Sequence, residues 1–161
     1  MIFVVLGTHE LSFQRLLHLI EDEIKDKRIT TEVIVQSGHT KYESSLMKLI
    51  PFMTYGEMEE FYRQADLIIT HGGTGSITMG VKMHKKVIAV PRLNKYGEHN
   101  DDHQLEIVRQ FTNAGHILSW NEGEDFSCVL QQIEDFQPVP FISGRSKILT
   151  IIEDFISNQV K

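Results

Sequence analysis

Leu67-Ile-Ile-Thr-His-Gly-Gly-Thr-Gly-Ser76 runs from four continuous, mostly β-branched residues into three glycines within four positions. Leu67 to Thr70 reads as a strand buried on both faces, because a strand with one wet face would alternate apolar and polar residues. The residues after it open a helix, so the glycines sit at a strand-to-helix corner. Glycine lets a ligand approach the backbone closely, and a helix N-terminus presents unpaired N–H groups with partial positive charge. Thr74 and Ser76 add hydroxyl donors. A tight turn capped by Thr74 or Ser76 needs fewer glycines, so the loop is read as an anion site.

Similar runs recur on either side, at Ile2-Phe-Val-Val-Leu6, Glu32-Val-Ile-Val-Gln36, Val87-Ile-Ala-Val90 and His116-Ile-Leu-Ser119. Stripes with helical spacing separate them. Phe13, Leu16, Leu17, Ile20 and Ile24 lie behind a Ser12 cap; Met58, Phe61, Tyr62 and Ala65 form a shorter stripe. Leu105, Val108, Phe111 and Thr112 follow the acidic first turn at Asp101 and Asp102. Val129, Ile133 and Phe136 predict a further helix, and Ile148, Leu149, Ile152, Phe155 and Ile156 a last one, set apart by Pro138 and Pro140. Tyr42 to Thr54 is ambiguous, since Leu49-Ile50 leaves room for a strand cut short by Pro51. Alternating strand and helix predict an α/β fold, a single Rossmann-like doubly wound parallel sheet in one domain over residues 1–161. Ligands of such sheets sit at the carboxyl ends of the strands, which singles out the loops after Leu6, Thr70 and Val90.

Composition narrows the function. The 161 residues are 41% hydrophobic and 24% charged, which excludes a disordered or collagenous chain. Sixteen Lys+Arg against 22 Asp+Glu leave a net charge of -6, so a general nucleic-acid binder is not expected. Cys128 is the single cysteine, which rules out an intrachain disulfide or a cysteine-based zinc cluster. Met1 to Leu6 is far shorter than the ~20 residues of a membrane helix and lacks the flanks of a signal peptide. The expected location is the cytosol, with any membrane work done through something else that holds the chain there.

Two motifs at the glycine loop mislead. Gly75-x-x-x-x-Gly80 before Val81-Lys82 imitates a Walker A element, but its lysine is displaced and it lies within the helix. Gly73-x-Gly75 lacks the third small residue of a dinucleotide fingerprint. Gly7-Thr-His-Glu10 also joins a buried strand to a helix, and two readings stand for His9: a solvated strand exit, or a site residue on the edge shared with the glycine loop. In the long loop Pro91-Arg-Leu-Asn-Lys-Tyr-Gly-Glu-His-Asn-Asp-Asp-His-Gln104, Arg92 and Lys95 are candidates to neutralise a leaving phosphate. His99 and His103 flank Asp101 and Asp102, inviting a metal, yet a cap from Asn100 or Asp101 explains the same acids and no further ligands suggest themselves. Lys82-Met-His-Lys-Lys86 reads as a solvated turn with a capacity to touch anionic lipid; His18, His39 and His116 read as surface or core-edge residues. A G-x-S-x-G elbow is missing from the sequence, which leaves hydrolase chemistry unsupported.

The glycine loop, followed by Lys86-Val-Ile-Ala-Val-Pro91 and Asn100-Asp-Asp-His-Gln104, resembles the family 28 glycosyltransferase C-terminal domain, the nucleotide-sugar-binding half of MurG-like GT-B enzymes. The chain resembles the soluble catalytic subunits of split transferases, both the kind that adds the second N-acetylglucosamine, from UDP-GlcNAc, to dolichol-linked oligosaccharide and the kind that builds bacterial capsule and exopolysaccharide. Phe3-Val-Val-Leu-Gly-Thr-His-Glu10 and Arg92-Leu-Asn-Lys-Tyr-Gly-Glu-His99 resemble the bacterial kind in particular. The resemblance implies a metal-free, cofactor-free, inverting hexosyltransferase that takes a UDP-sugar as donor. The diphosphate would rest on Gly7, Thr8 and the loop from His71 through Gly72, Gly73, Thr74 and Gly75 to Ser76, and His103 and Gln104 would contact the donor sugar. His9 is the candidate base, unless the partner supplies it. The family's ribose-gripping glutamate is replaced here by Met79, so ribose recognition is expected to weaken or to move to Glu98. A membrane-anchored partner would bring the lipid-linked saccharide acceptor and hold the chain at the cytoplasmic face, with the C-terminal helix, about 143–159, docking on it. A catalytically silent accessory subunit and a nucleotide-sugar epimerase-like protein are the competing readings.

Overall fold

The computed structural model describes residues 1–159; Val160 and Lys161, which the expected domain includes, lie outside the described residues. Six strands, β1 (Ile2–Val5), β2 (Val33–Gln36), β3 (Lys48–Ile50), β4 (Leu67–Thr70), β5 (Lys86–Ala89) and β6 (Leu118–Ser119), form one sheet in the order β3-β2-β1-β4-β5-β6. Every pairing is parallel, with Val5 opposite both Gln36 and Thr70. The helices are α1 (Gln14–Lys25), α2 (Tyr55–Gln64), α3 (Thr74–Lys82), α4 (His103–Asn113), α5 (Phe126–Asp135) and α6 (Arg145–Gln159).

The continuous apolar strands are explained by two covered faces. Val4, Leu6, Val35, Ile69 and Ile88 pack with Leu16, Leu17 and Ile20 of α1 and Val129 and Ile133 of α5. Phe3, Val5, Ile68, Val87 and Ala89 point the other way, onto Tyr62 of α2, Ile77 and Val81 of α3 and Val108 of α4. Each buried Val, Leu, Ile or Phe side chain among these contributes about 1.5–3 kcal/mol relative to exposure, which pins the register of all the central strands.

Local signals differ from expectation at four places. Ser12 does not cap α1: the N-cap is Phe13, and its N–H donates across to Thr40 Oγ1 at 3.0 Å. The link from β2 to β3 is an irregular crossover, with Tyr42 and Met47 packed on the α1 face where a helix would lie. In the basic turn, Lys85 Nζ donates to the carbonyls of Arg63 and Ala65, and Lys86 Nζ to those of Ile133 and Glu134. Two of its three lysines thus close the C-terminal ends of α2 and α5, where cations favour the helix dipole. Lastly, an amphipathic helix ordinarily buries its apolar stripe against its own domain, yet Ile148, Leu149, Ile152, Phe155 and Ile156 of α6 are all between 46% and 65% exposed.

β1 and β4 are neighbours whose onward connections run to opposite sides of the sheet. This switch point opens a crevice at their carboxyl ends, between the loop after β1 and the glycine loop after β4.

Candidate functional site

The crevice holds a cavity of about 320 Å³, within the size range of small-ligand pockets. Gly7 and Thr8 form one wall, His71, Gly73, Gly75 and Ser76 a second, and Phe52, Met53 and Met58 an apolar third. The cavity therefore has a backbone-polar end and an apolar end.

The three loop glycines serve different purposes. A Cβ on Gly72 would stand 2.7 Å from Gln104 Cβ, and one on Gly73 would overlap His71 Nε2. Both are glycine because neighbouring side chains press on the backbone. A Cβ on Gly75 meets nothing within 4 Å, so Gly75 alone faces open space. α3 begins at Thr74 after the N-cap Gly73 and carries no side-chain cap among the described residues. The first N–H groups of the helix have no carbonyl one turn earlier and point outward as donors. Gly7 and Gly72 contribute differently from the sequence expectation, since their N–H groups are spent internally on Gln36 Oε1 (3.0 Å) and Gln104 Oε1 (3.1 Å).

The His71 ring lies between Gly73 and Gly7, where a Cβ on Gly7 would also come within 2.7 Å of it. Its Nδ1–H donates to the Val5 carbonyl at 3.1 Å, which leaves Nε2 as the lone-pair nitrogen. Burial pushes its pKa down to about 4, and the positive Arg92 with the His99 and His9 rings adds to this, against the Val5 hydrogen bond. Below the ordinary histidine value of 6.5 the unfolded chain takes up a proton that the folded one refuses. Stability is therefore expected to fall as pH drops from about 6.5 to about 4, by on the order of 2 kcal/mol once the solvent-facing ring edge is discounted. Urea unfolding at pH 7, 5.5 and 4.5 checks this. A His71→Gln chain should lose less stability over that range, and an equal loss would remove His71 as the source.

His9 stacks on His99 with ring centroids 4.6 Å apart. Burial, then His99 and Arg92, lower its pKa, so it is neutral at pH 7. Its Nδ1 accepts the Leu11 N–H at 3.2 Å, which places its proton on Nε2 and leaves no free lone pair for a substrate proton. That hydrogen bond disfavours His9 as the base.

The loop after β5 departs most from expectation. Arg92 is fully buried, and its guanidinium donates to the carbonyls of Leu6 (2.8 Å), Leu11 (2.7 Å) and Glu98 (3.0 Å) over the Phe13 ring. It clips the loops together and faces no leaving group. Glu98, proposed for the ribose, is buried in a bidentate pair with Arg15 and accepts the Leu93 N–H. Lys95 is exposed, paired with Glu122 at a separate groove of about 380 Å³. Gln104 is buried, with Oε1 shared between the N–H groups of Gly72 and Arg92, so it braces the glycine loop. His103 is exposed at the start of α4, outside the cavity lining. Met79 packs against the α2–α4 core and lines no part of the cavity. Asp101 Oδ1 accepts the His103 N–H, as a helix-start acid does. Among the described residues, no group of three or more His, Cys, Asp or Glu side chains is placed to share a metal ion.

Gln36, Phe52, Met53 and Met58 line the cavity without having been singled out from sequence. A signal existed for Gln36, an uncharged polar residue closing the apolar run Val33-Ile-Val35 one step before Ser37-Gly38.

Fold and crevice together define a doubly wound α/β domain with a helix N-terminus opening at its switch point. The model of the Glycosyltransferase family 28 C-terminal domain matches residues 1–140, and the chain belongs to that family. It is similar to the UDP-N-acetylglucosamine transferase subunit ALG13 of Candida glabrata, 30% identical over 103 residues that cover 61% of this chain and 44% of the relative. The ALG13 subunit of Candida albicans is 29% identical over 84 residues, 52% and 27% of the two chains. The chain thus spans less than half the length of these relatives. In fold it resembles the solution structure of ALG13 (TM-score 0.58, 20% identity, 90% of this chain and 91% of that one). It also resembles MurG of Acinetobacter baumannii (TM-score 0.55, 19% identity, 81% and 39%). Among the described residues, no helix is long and apolar enough to cross a membrane.

Proposed function

We propose that the chain is the donor-binding subunit of a UDP-sugar-dependent, inverting hexosyltransferase that serves a lipid-linked acceptor in polysaccharide assembly. The observation carrying this reading is the two-ended cavity at the switch point. The N–H groups at the start of α3 suit a diphosphate, and the wall of Phe52, Met53 and Met58 suits a flat base. In the transfer step the acceptor hydroxyl attacks the anomeric carbon, and the bond from that carbon to the phosphate oxygen breaks. The electron pair leaves with UDP, and the hydroxyl proton passes to a base. With Arg92 and Lys95 turned to other partners, the helix N-terminus becomes the main stabiliser of the growing phosphate charge. His9 having no free lone pair, the base is assigned to the partner's side of the cleft.

That the ALG13 relatives are subunits of a transferase supports a split enzyme. The exposed stripe of α6, ending in Phe155 (65%) and Ile156 (55%), is the surface we assign to a membrane-anchored subunit. That subunit would hold the chain at the cytoplasmic face. A second reading, a silent accessory subunit, is favoured by Met79, which packs inward and offers the ribose no acceptor.

Calorimetry with UDP in a chelator tests the donor site. Binding is expected at ~1 mM or tighter, about -4 kcal/mol, without divalent ion. No binding, or a strict Mg²⁺ requirement, removes the reading. Transfer to a lipid-linked acceptor is expected only after the membrane-anchored subunit is added. Truncation before Ile148 should prevent the two from co-purifying. Transfer by the chain alone would refute the split, and UDP binding without transfer by the pair would favour the silent subunit.

A further inference from the structure

Gln36 ends β2 and is buried, yet its side-chain amide makes three hydrogen bonds. Oε1 accepts the Gly7 N–H at 3.0 Å; Nε2 donates to the Gly7 carbonyl at 3.1 Å and to the Pro51 carbonyl at 3.1 Å. The amide grips both polar groups of one backbone residue, as an adjacent strand would, and reaches from there to the exit of β3. Its neighbours reinforce the tie: Ser37 N–H donates to Ile50 O, and Gly38 N–H to Pro51 O at 2.8 Å. Gly38 has φ +58, and a Cβ there would overlap the Gly7 carbonyl, so this turn admits only a residue without a side chain. Gly7 itself sits at φ +76.

Gly7 and Thr8 form the cavity wall beside the glycine loop; Phe52 and Met53, directly after Pro51, form the apolar wall. We infer that Gln36 is a positioning residue that sets the separation of these two walls, so that one ligand spans both at once. The inference rests on the nucleotide reading for the identity of the ligand. Both Nε2 protons are spent on protein carbonyls, so Gln36 acts through the backbone it holds.

This role has a signature that general loss of stability lacks. A residue that sets a distance matters to a ligand bridging both walls, and little to a fragment that touches one. Joining two fragments multiplies their affinities only while the geometry allows both to engage. Gln36→Leu is expected to weaken UDP by roughly tenfold or more, and uridine and inorganic pyrophosphate each by less than about threefold. Gln36→Glu keeps the acceptor for Gly7 N–H but sets a carboxylate against two carbonyls. Its UDP affinity, relative to wild type at the same pH, should recover from pH 8 to pH 5.5 as a carboxyl proton restores one donor. Glu23→Gln breaks the remote pair between the buried Glu23 carboxylate and the half-exposed Arg28 and should lower stability without changing UDP affinity.

UDP bound within about twofold of wild type by Gln36→Leu, or fragments weakened as much as UDP, overturns the inference. Should the wild-type chain bind no UDP, the nucleotide reading falls, and Gln36 is judged by amide hydrogen exchange. Gly7 and Gly38 are then expected to lose protection in Gln36→Leu while Ile69 keeps its own, and unchanged protection at Gly7 overturns the role.

Discussion

Gly75→Val is expected to abolish UDP binding, with Kd weakened at least ~100-fold or about 2.7 kcal/mol, while stability stays within about 0.5 kcal/mol of wild type. The two halves of this expectation have separate causes. Gly75 is the second residue of α3, its backbone is helical, and a Cβ there meets nothing within 4 Å. Valine thus adds no clash, and its helix propensity is no worse than that of glycine. Its branched side chain does occupy the space in front of the first-turn N–H groups, where a phosphate oxygen must come within about 3 Å. Gly73→Ala supplies the contrast, because its Cβ overlaps His71 Nε2. That change should lower the melting temperature and displace the imidazole before any ligand is added. Calorimetry and thermal unfolding on both variants separate the glycine kept open for a ligand from the one kept for packing. UDP affinity of wild-type strength in Gly75→Val would remove the α3 N-terminus from the site.

Arg92→Ala is expected to cost about 3–5 kcal/mol of folding stability, a size typical of breaking a buried charged network. Three carbonyls, those of Leu6, Leu11 and Glu98, lose their donors at once, and the Phe13 ring loses the cation above it. Burial already works against the guanidinium, lowering its pKa to about 10 despite Glu98, and among the described residues its Nε has no hydrogen-bond partner. Arg92→Met restores volume but none of the donors, so it should recover only part of the loss. Urea denaturation gives the measurement. A loss below about 1 kcal/mol would show that the clip is dispensable and return Arg92 to the candidates for a charge on the leaving group.

The sequence by itself determined the architecture. Val4 and Leu6 had to be covered on one side of the sheet and Phe3 and Val5 on the other, so a continuous apolar strand could only lie between two helical layers. Glycines after such a strand and before a helix placed the ligand edge, and the cavity lies there. β3 was harder to read because its three residues stop at Pro51, too short for any period to show.

Tertiary structure decided which polar residues line the crevice. Arg92, Glu98 and Gln104 have the residue types of a phosphate, ribose or sugar contact, but a charge or amide in a loop is free for a ligand only if nothing nearer claims it. Here Leu6, Leu11, Arg15 and Gly72 claim them, from positions between 32 and 86 residues away in the chain. Spacing along the sequence carries no record of such partners, because unpaired carbonyls and amides arise where separate strand ends meet. The same holds for Gln36, whose role exists only because the ends of β1 and β3 both come within reach of one amide. Local chemistry chose the elements and the edge; desolvation at the meeting of those ends, where every buried donor and acceptor must find a partner, chose the residues.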